Sequence, residues 1–192
     1  MLTAIIATHE SERSLVPTLA ALVPGATAGL LSEVIVTDAG SSDATAEVAD
    51  YAGCRFMTSP APLGPRLKAA AASARTPWLL FLRPGCVPQP AWIAAVERFI
   101  VTTGTLEGAA RAGVFRPHSH ADLMRPGLAE LGALVRTALG GRPRPEQGLL
   151  IARRFYEELG GHEGGADAET ALLHRLGRRR IAMLACAVSA PH

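Results

Sequence analysis

The chain has 192 residues, of which 48% are apolar and 19% charged, with a formal net charge of +2. That is enough chain for one packed domain, too apolar for a disordered segment, and too weakly basic to read as a nucleic-acid binder. Its three cysteines, Cys54, Cys86 and Cys186, are far apart and form no C-x-x-C pair. That spacing argues against a disulfide framework or a cysteine-based zinc site and points to a reducing, cytoplasmic setting.

Strand and helix patterns alternate from the start. The opening "MLTAIIATHE" lacks the basic leader of a signal peptide, and "LTAIIA" (2–7) reads as a short buried strand. Thr8 and Ser11 are helix-start residues, and Leu15, Leu19 and Leu22 follow at helical spacing. "EVIVTD" (33–38) is a β-branched strand, followed by a Gly/Ser turn and a helix that stops at Gly53. "CRFMTS" (54–59) is a third strand, "GPRLKAAAASAR" (64–75) an Ala-rich helix, "WLLFL" (78–82) a fourth strand and "QPAWIAAVERFI" (89–100) a helix. Further on, "ARAGVF" (110–115), "GLLIAR" (148–153) and "RIAMLAC" (180–186) read as strands. "RRFYEELGG" (153–161) and "DAETALLHRLG" (167–177) read as helices, and 121–141 as an amphipathic helix broken at Pro126-Gly127. No window reaches the roughly 18 apolar residues of a membrane span. Nearly all-apolar strands alternating with helices predict a single α/β domain with a mostly parallel sheet covered on both faces.

In such sheets ligands bind beyond the carboxyl ends of the strands. Three ends carry chemistry: Thr8-His9-Glu10, Asp38-Ala39-Gly40-Ser41-Ser42-Asp43 and Arg83-Pro84-Gly85-Cys86. Asp38 at a strand end suits a base N–H or ribose hydroxyls, Gly40 permits a tight turn, and Ser41, Ser42 or Asp43 suits a helix cap. Taken alone, D-x-G-S-x-D fits a nucleotide-binding turn and a plain turn-and-cap equally well. His118, His120 and Asp122 share a short stretch and would make a weak metal set, read more simply as solvent-exposed. Cys86 has no histidine placed by sequence to activate it. Trp78 and Trp92 are core candidates.

Read together, "AIIATHESERS", "EVIVTDAGSSDAT", "GPRLKAAAASAR" and "WLLFLRPGC" resemble, in that order, the family 2 glycosyltransferases of GT-A fold, short bacterial type. "EQGLLIARRFYEELGGHEG" and "ADAETALLHRLGRRRI" are similar to two further segments of that family, so the likeness spans nearly the whole chain. It implies a single-domain GT-A (Rossmann-like) fold over 1–192, with a nucleotide-binding half (1–100) and an acceptor-side half (101–192). It also implies sugar transfer from a nucleotide-sugar to an acceptor hydroxyl on a glycan or lipid, with inversion. The setting implied is cytoplasmic, with peripheral contact at the inner membrane face as an option, for which 121–141 is the candidate segment. By the same likeness, Thr8, Glu10, Asp38, Gly40, Ser41 and Asp43 line the nucleotide pocket, with Arg66 nearby, and Glu146 and Gln147 face a sugar. Asp167 matches the general base.

Two positions depart from the pattern. The family's strand end runs into an aspartate that holds Mg²⁺ or Mn²⁺ against the donor's diphosphate, and Gly85 stands there instead. The glutamate that usually precedes the catalytic aspartate is Ala166. Arg83 is the nearby cation able to bind two phosphate oxygens in a fork and so a substitute for the metal; the alternative is that it only pairs with a surface acid in a site that has decayed. The rival expectation is a non-catalytic GT-A-like domain that binds a nucleotide or a protein. A nucleotidyltransferase is less favoured, because "ATHESERS" has no glycine for a phosphate loop.

Overall fold

The central strand, β1 (Leu2–Thr8), is hydrogen-bonded in parallel to β2 (Leu31–Asp38) on one side and β4 (Trp78–Leu82) on the other. This is a computed structural model, which describes residues 1–105, 110–117 and 143–189. Beyond β2 lies β3 (Arg55–Thr58), and beyond β4 lie β7 (Leu149–Ala152), β6 (Ala112–Pro117), β8 (Ile181–Ser189) and β5 (Val87–Pro88), in the order β3-β2-β1-β4-β7-β6-β8-β5. β3-β2-β1-β4 is parallel throughout and β6-β8 is parallel, while β7 runs against both its neighbours and β5 runs against β8.

The near-continuous apolar runs of β1 and β4 exist because helices cover both faces of the sheet. Side chains alternate across a strand, so Leu2, Ala4, Ile6, Leu80 and Leu82 face one core and Ile5, Leu79 and Phe81 the other. The first core is completed by α1 (Glu12–Thr27) and α4 (Trp92–Thr105), through Leu15, Leu19, Leu22, Trp92 and Val96. The second is completed by α3 (Leu63–Ser73), α5 (Arg153–Glu158) and α6 (Ala168–Leu176), through Leu67, Ala70, Phe155, Leu172 and Leu173. The short α2 (Thr45–Tyr51) packs beside α1 and adds Ala49 to the first core.

Several boundaries move from the sequence reading. Cys54 is not in β3, because its N–H donates to the Ala49 carbonyl and finishes the turn after α2. The last strand runs on to Ser189, and its final residues pair with β5, a two-residue strand too short to leave a hydropathy signal. The antiparallel direction of β7 is also a product of the fold, since apolar periodicity carries no direction. Trp78 and Trp92 are core residues, 9% and 1% exposed. The segment 121–141 and the His118, His120 and Asp122 set lie outside the described residues. No helix among the described residues is long and apolar enough to cross a membrane.

Gly25 in α1 tests the fit of α4 on the sheet. A Cβ there would collide with the Trp92 ring, whose Nε1–H is fixed on the Ala21 carbonyl at 3.1 Å. Gly25→Ala gains about 1 kcal/mol of helix propensity but incurs an overpacking cost of about 1–3 kcal/mol. The expected result is a lower urea midpoint; an unchanged or raised midpoint would mean that the ring yields freely.

Candidate active site

Because β2, β1 and β4 are parallel neighbours, their carboxyl ends emerge side by side: Thr8 is in register with Asp38, and Ile6 with Leu82, one residue before Arg83. The first two ends are woven together. The Asp38 carboxylate, 1% exposed, accepts from Thr8 Oγ1 (2.7 Å), Ser41 Oγ (2.6 Å), the Gly40 N–H (2.7 Å) and the Ser41 N–H (2.6 Å). Burial alone would raise its pKa, but the bonds from Ser41, Thr8 and Gly40 outweigh it and hold the carboxyl below its usual range. Gly40, at φ 96, supplies the left-handed turn that brings those N–H groups round.

Glu10 is the non-glycine residue among those described that has a positive φ, 48°. Such backbone persists only where neighbours enforce it. Here its N–H donates to Ser41 Oγ at 2.8 Å, and its Oε1 accepts from the Ser42 N–H at 2.6 Å. Asp43 caps two helices: Oδ2 accepts from the Glu12 N–H of α1 and Oδ1 from the Thr45 N–H of α2, both at 3.0 Å. The Thr45 hydroxyl bond is the main cause of its lowered pKa. Arg66, from the first turn of α3, is 7% exposed. Its Nη1 donates to the Thr8 and Thr37 carbonyls at 3.2 and 2.7 Å, and its buried Nε has no partner among the described residues. Burial lowers its pKa while the nearby Asp38 charge opposes that shift.

So Thr8, Glu10, Asp38, Gly40, Ser41, Asp43 and Arg66 do come together. The carboxylates among them, however, are engaged in holding the two loops rather than left open. Asp38 and Asp43 have the turn-and-cap geometry, and His9 and Glu10 are exposed beside them.

The third strand end is built differently. Arg83 donates from Nε and Nη2 to Glu169 Oε2 at 2.8 and 2.5 Å, and from Nη1 to Glu146 Oε1 at 2.8 Å. These two carboxylates and the burial of Arg83 pull its pKa in opposite directions; burial would lower it, the pairing prevails and raises it. Glu146 stands on a single 3-10 turn, Pro145–Gln147. Its neighbour Gln147, 7% exposed, is engaged on both sides: Nε2 donates to the Phe115 carbonyl at 2.7 Å and Oε1 accepts from the Arg144 N–H at 2.8 Å. Glu169 lies in the first turn of α6. It is a residue the sequence reading left without a role: its partner is 86 positions away, and only its place two residues after Asp167 hinted at it.

Asp167 occupies the N-cap position of α6 yet makes no side-chain capping bond, leaving an exposed carboxylate. Its loop is seated against α3: a Cβ on Gly64 would come within 2.5 Å of the Gly164 carbonyl and 3.1 Å of Ala168 Cβ. The Arg83–Glu169 bridge therefore ties the start of α6 to the end of β4 on one side, and the Gly64–Gly164 contact holds it on the other.

The loop Arg83–Cys86 does not fit a divalent cation. A hard cation needs several oxygen ligands, and this loop has no carboxylate. The Gly85 N–H is held by the Ser14 carbonyl and Thr18 Oγ1 at 2.8 and 2.9 Å. Gly85 has φ 86, so an aspartate there would be strained. Cys86 is fully buried, with Sγ on the Glu146 carbonyl, and burial raises its pKa. The carboxylates that remain nearby, Glu146 and Glu169, already grip the guanidinium. Among the described residues no group of three or more His, Cys, Asp or Glu side chains could hold a metal ion.

Together, a mostly parallel sheet covered by helices, woven loops at its carboxyl edge and an acid-bearing helix start beside them define an α/β domain with its polar residues gathered at one sheet edge. The chain belongs to glycosyl transferase family 2, whose pattern it matches over residues 3–118. The described architecture is the GT-A fold of solved glycosyltransferases. One is glucosyl-3-phosphoglycerate synthase from Mycobacterium tuberculosis with Mn²⁺, UDP and glucosyl-3-phosphoglycerate: TM-score 0.66, 20% identity, covering 99% of this chain and 70% of that one. The same enzyme with phosphoglyceric acid superposes at TM-score 0.68, 19% identity, over 100% of this chain and 71% of that one. S. aureus TarS (1–349) gives TM-score 0.69 and 14% identity, over 99% of this chain and 60% of that one. A comparison with curated proteins finds no match.

Behind Glu169 lies His162, 2% exposed, its Nδ1 2.9 Å from the Tyr156 hydroxyl, which also accepts from the His162 N–H at 3.0 Å. Burial, helped by the Arg175 charge, lowers its pKa from 6.5 to about 3. The unfolded chain takes up a proton as pH falls through 6.5, and the folded chain does not until about 3. Stability contributed by the neutral imidazole is thus full above that window and declines as pH drops through it, by up to about 1.4 kcal/mol per pH unit. Urea titrations from pH 7.5 to 4.5 should show a shallower acid loss for His162→Gln than for the wild type; equal slopes would mean His162 protonates normally in the folded chain.

Proposed function

We propose that the chain transfers a sugar from a nucleotide-sugar to an acceptor hydroxyl, with inversion and without a divalent cation. The observation that carries this reading is the Arg83–Glu169 bridge, which brings the first turn of α6, and Asp167 with it, to the strand end where the family binds the donor's diphosphate.

In this reading the woven loops around Asp38 and Glu10 form the nucleotide floor, kept rigid so that the base and ribose meet a preset surface. Asp167 takes the proton of the acceptor hydroxyl as that oxygen attacks the anomeric carbon. The new carbon–oxygen bond forms as the bond to the phosphate oxygen breaks, and the nucleoside diphosphate leaves with that electron pair. Arg83 supplies positive charge beside the leaving group, and its guanidinium N–H groups are the donors that would meet phosphate oxygens. The acceptor is a glycan or lipid hydroxyl, and the setting is the cytoplasm, free or at the inner face of the membrane.

A second reading, a domain that binds a nucleotide or protein without catalysis, draws on the same geometry. Arg83 is committed to two carboxylates, and Ala166 stands where the family has glutamate.

Thermal-shift and calorimetric screens with UDP-, GDP- and dTDP-sugars, each with EDTA and with Mn²⁺, separate the readings. UDP-sugars come first, since the solved synthase of the same fold carries UDP. Metal-independent stabilisation by one donor is expected. Stabilisation only with Mn²⁺ would overturn the metal-free mechanism, and silence towards every nucleotide would favour the non-catalytic domain. With a responsive donor in hand, Asp167→Asn should keep donor binding while lowering turnover about 10²- to 10⁴-fold, the range lost with a general base.

A further inference from the structure

The two carboxylates on Arg83 are not equivalent. Glu169 accepts two of the guanidinium N–H groups on one oxygen, at 2.5 and 2.8 Å, and its side chain is 13% exposed. Glu146 accepts one, at 2.8 Å, with its side chain 35% exposed. Glu169 is anchored in a helix packed into the core, whereas Glu146 stands on a single 3-10 turn. An incoming anion that competes for Arg83 therefore displaces Glu146 first.

The signs of the charges make this competition real. Arg83 with both glutamates carries a net charge of −1, which repels a diphosphate; without the Glu146 charge the group is neutral and gains a free Nη1–H. Among the described residues, Arg83 is the cationic side chain bonded to the Glu146 carboxylate.

We propose that Glu146 is an internal competitor for Arg83, a carboxylate latch that occupies the phosphate-facing N–H until a diphosphate replaces it, and so sets the affinity of the site for its donor. Glu169 is the fixed partner that keeps the guanidinium oriented through the exchange. This rests on the proposed donor role of Arg83 and adds a residue whose removal strengthens binding. Loss of a merely structural contact would weaken it.

The test uses inorganic pyrophosphate and UDP as probes, by calorimetry in EDTA at fixed ionic strength. The proteins are the full chain, Glu146→Gln, Glu146→Ala and the remote control Glu158→Gln, whose partner is Arg154 on α5. Both Glu146 variants should bind the probes about two- to fivefold more tightly than the wild type, the scale of one partly exposed ion pair. The control should match the wild type, and the gain should vanish in Glu146→Gln combined with Arg83→Met. Unchanged or weaker binding by a Glu146 variant whose thermal unfolding midpoint is retained overturns the latch, as does a gain that survives loss of Arg83. Absence of any probe binding across the set overturns it too. A gain for pyrophosphate without binding of any nucleotide-sugar leaves the latch standing and removes the sugar-transfer reading instead.

Discussion

Parallel hydrogen bonding of β1 to both β2 and β4 is the constraint from which the site follows. Parallel strands must be joined by crossovers, so the loops that leave them accumulate at one edge. Thr8, Asp38 and Arg83 thereby become neighbours although they are spread over the first 83 positions of the chain. The same arrangement requires both faces of β1 and β4 to be covered. That is why those strands are nearly all apolar, with Thr3 and Thr8 near the two ends of β1.

At that edge, buried charge is managed in two ways. Asp38 is stabilised by hydrogen bonds from its own loop and from Thr8, with the Arg66 guanidinium lying under the same strand ends. A buried carboxylate held so completely makes a rigid floor and leaves little acceptor capacity for a ligand. Arg83 is stabilised instead by two carboxylates from distant parts of the chain. It is partly exposed, and Glu146 holds it through one hydrogen bond where Glu169 accepts two. The first arrangement suits a surface that must not move, and the second suits a contact that can be exchanged.

Much of this was legible in the residues. The alternation of strands and helices, the start of α6 after Asp167, the turn at Gly40 and the burial of Trp92 all follow from local pattern. The D-x-G-S-x-D turn also announced itself, although sequence alone left it open whether its acids face a ligand or the chain. In the fold, Asp38 and Asp43 are directed at backbone N–H groups and hydroxyls. Gln147 looked like a sugar contact and is instead enclosed between Phe115 and Arg144. Glu169 had no visible role until Arg83 was placed beside it.

The sequence by itself determined the α/β class, the family and the absence of an aspartate at Gly85, because these depend on residue identity and on periodicity along the chain. Only the tertiary structure decided what surrounds the strand end where that acid is missing. Three residues from a strand end, a 3-10 turn and a helix start meet in one ion-paired group, and no local pattern encodes a contact between positions 83, 146 and 169. The physical reason is that ion pairing depends on distance in space, and sheet order and strand direction set that distance.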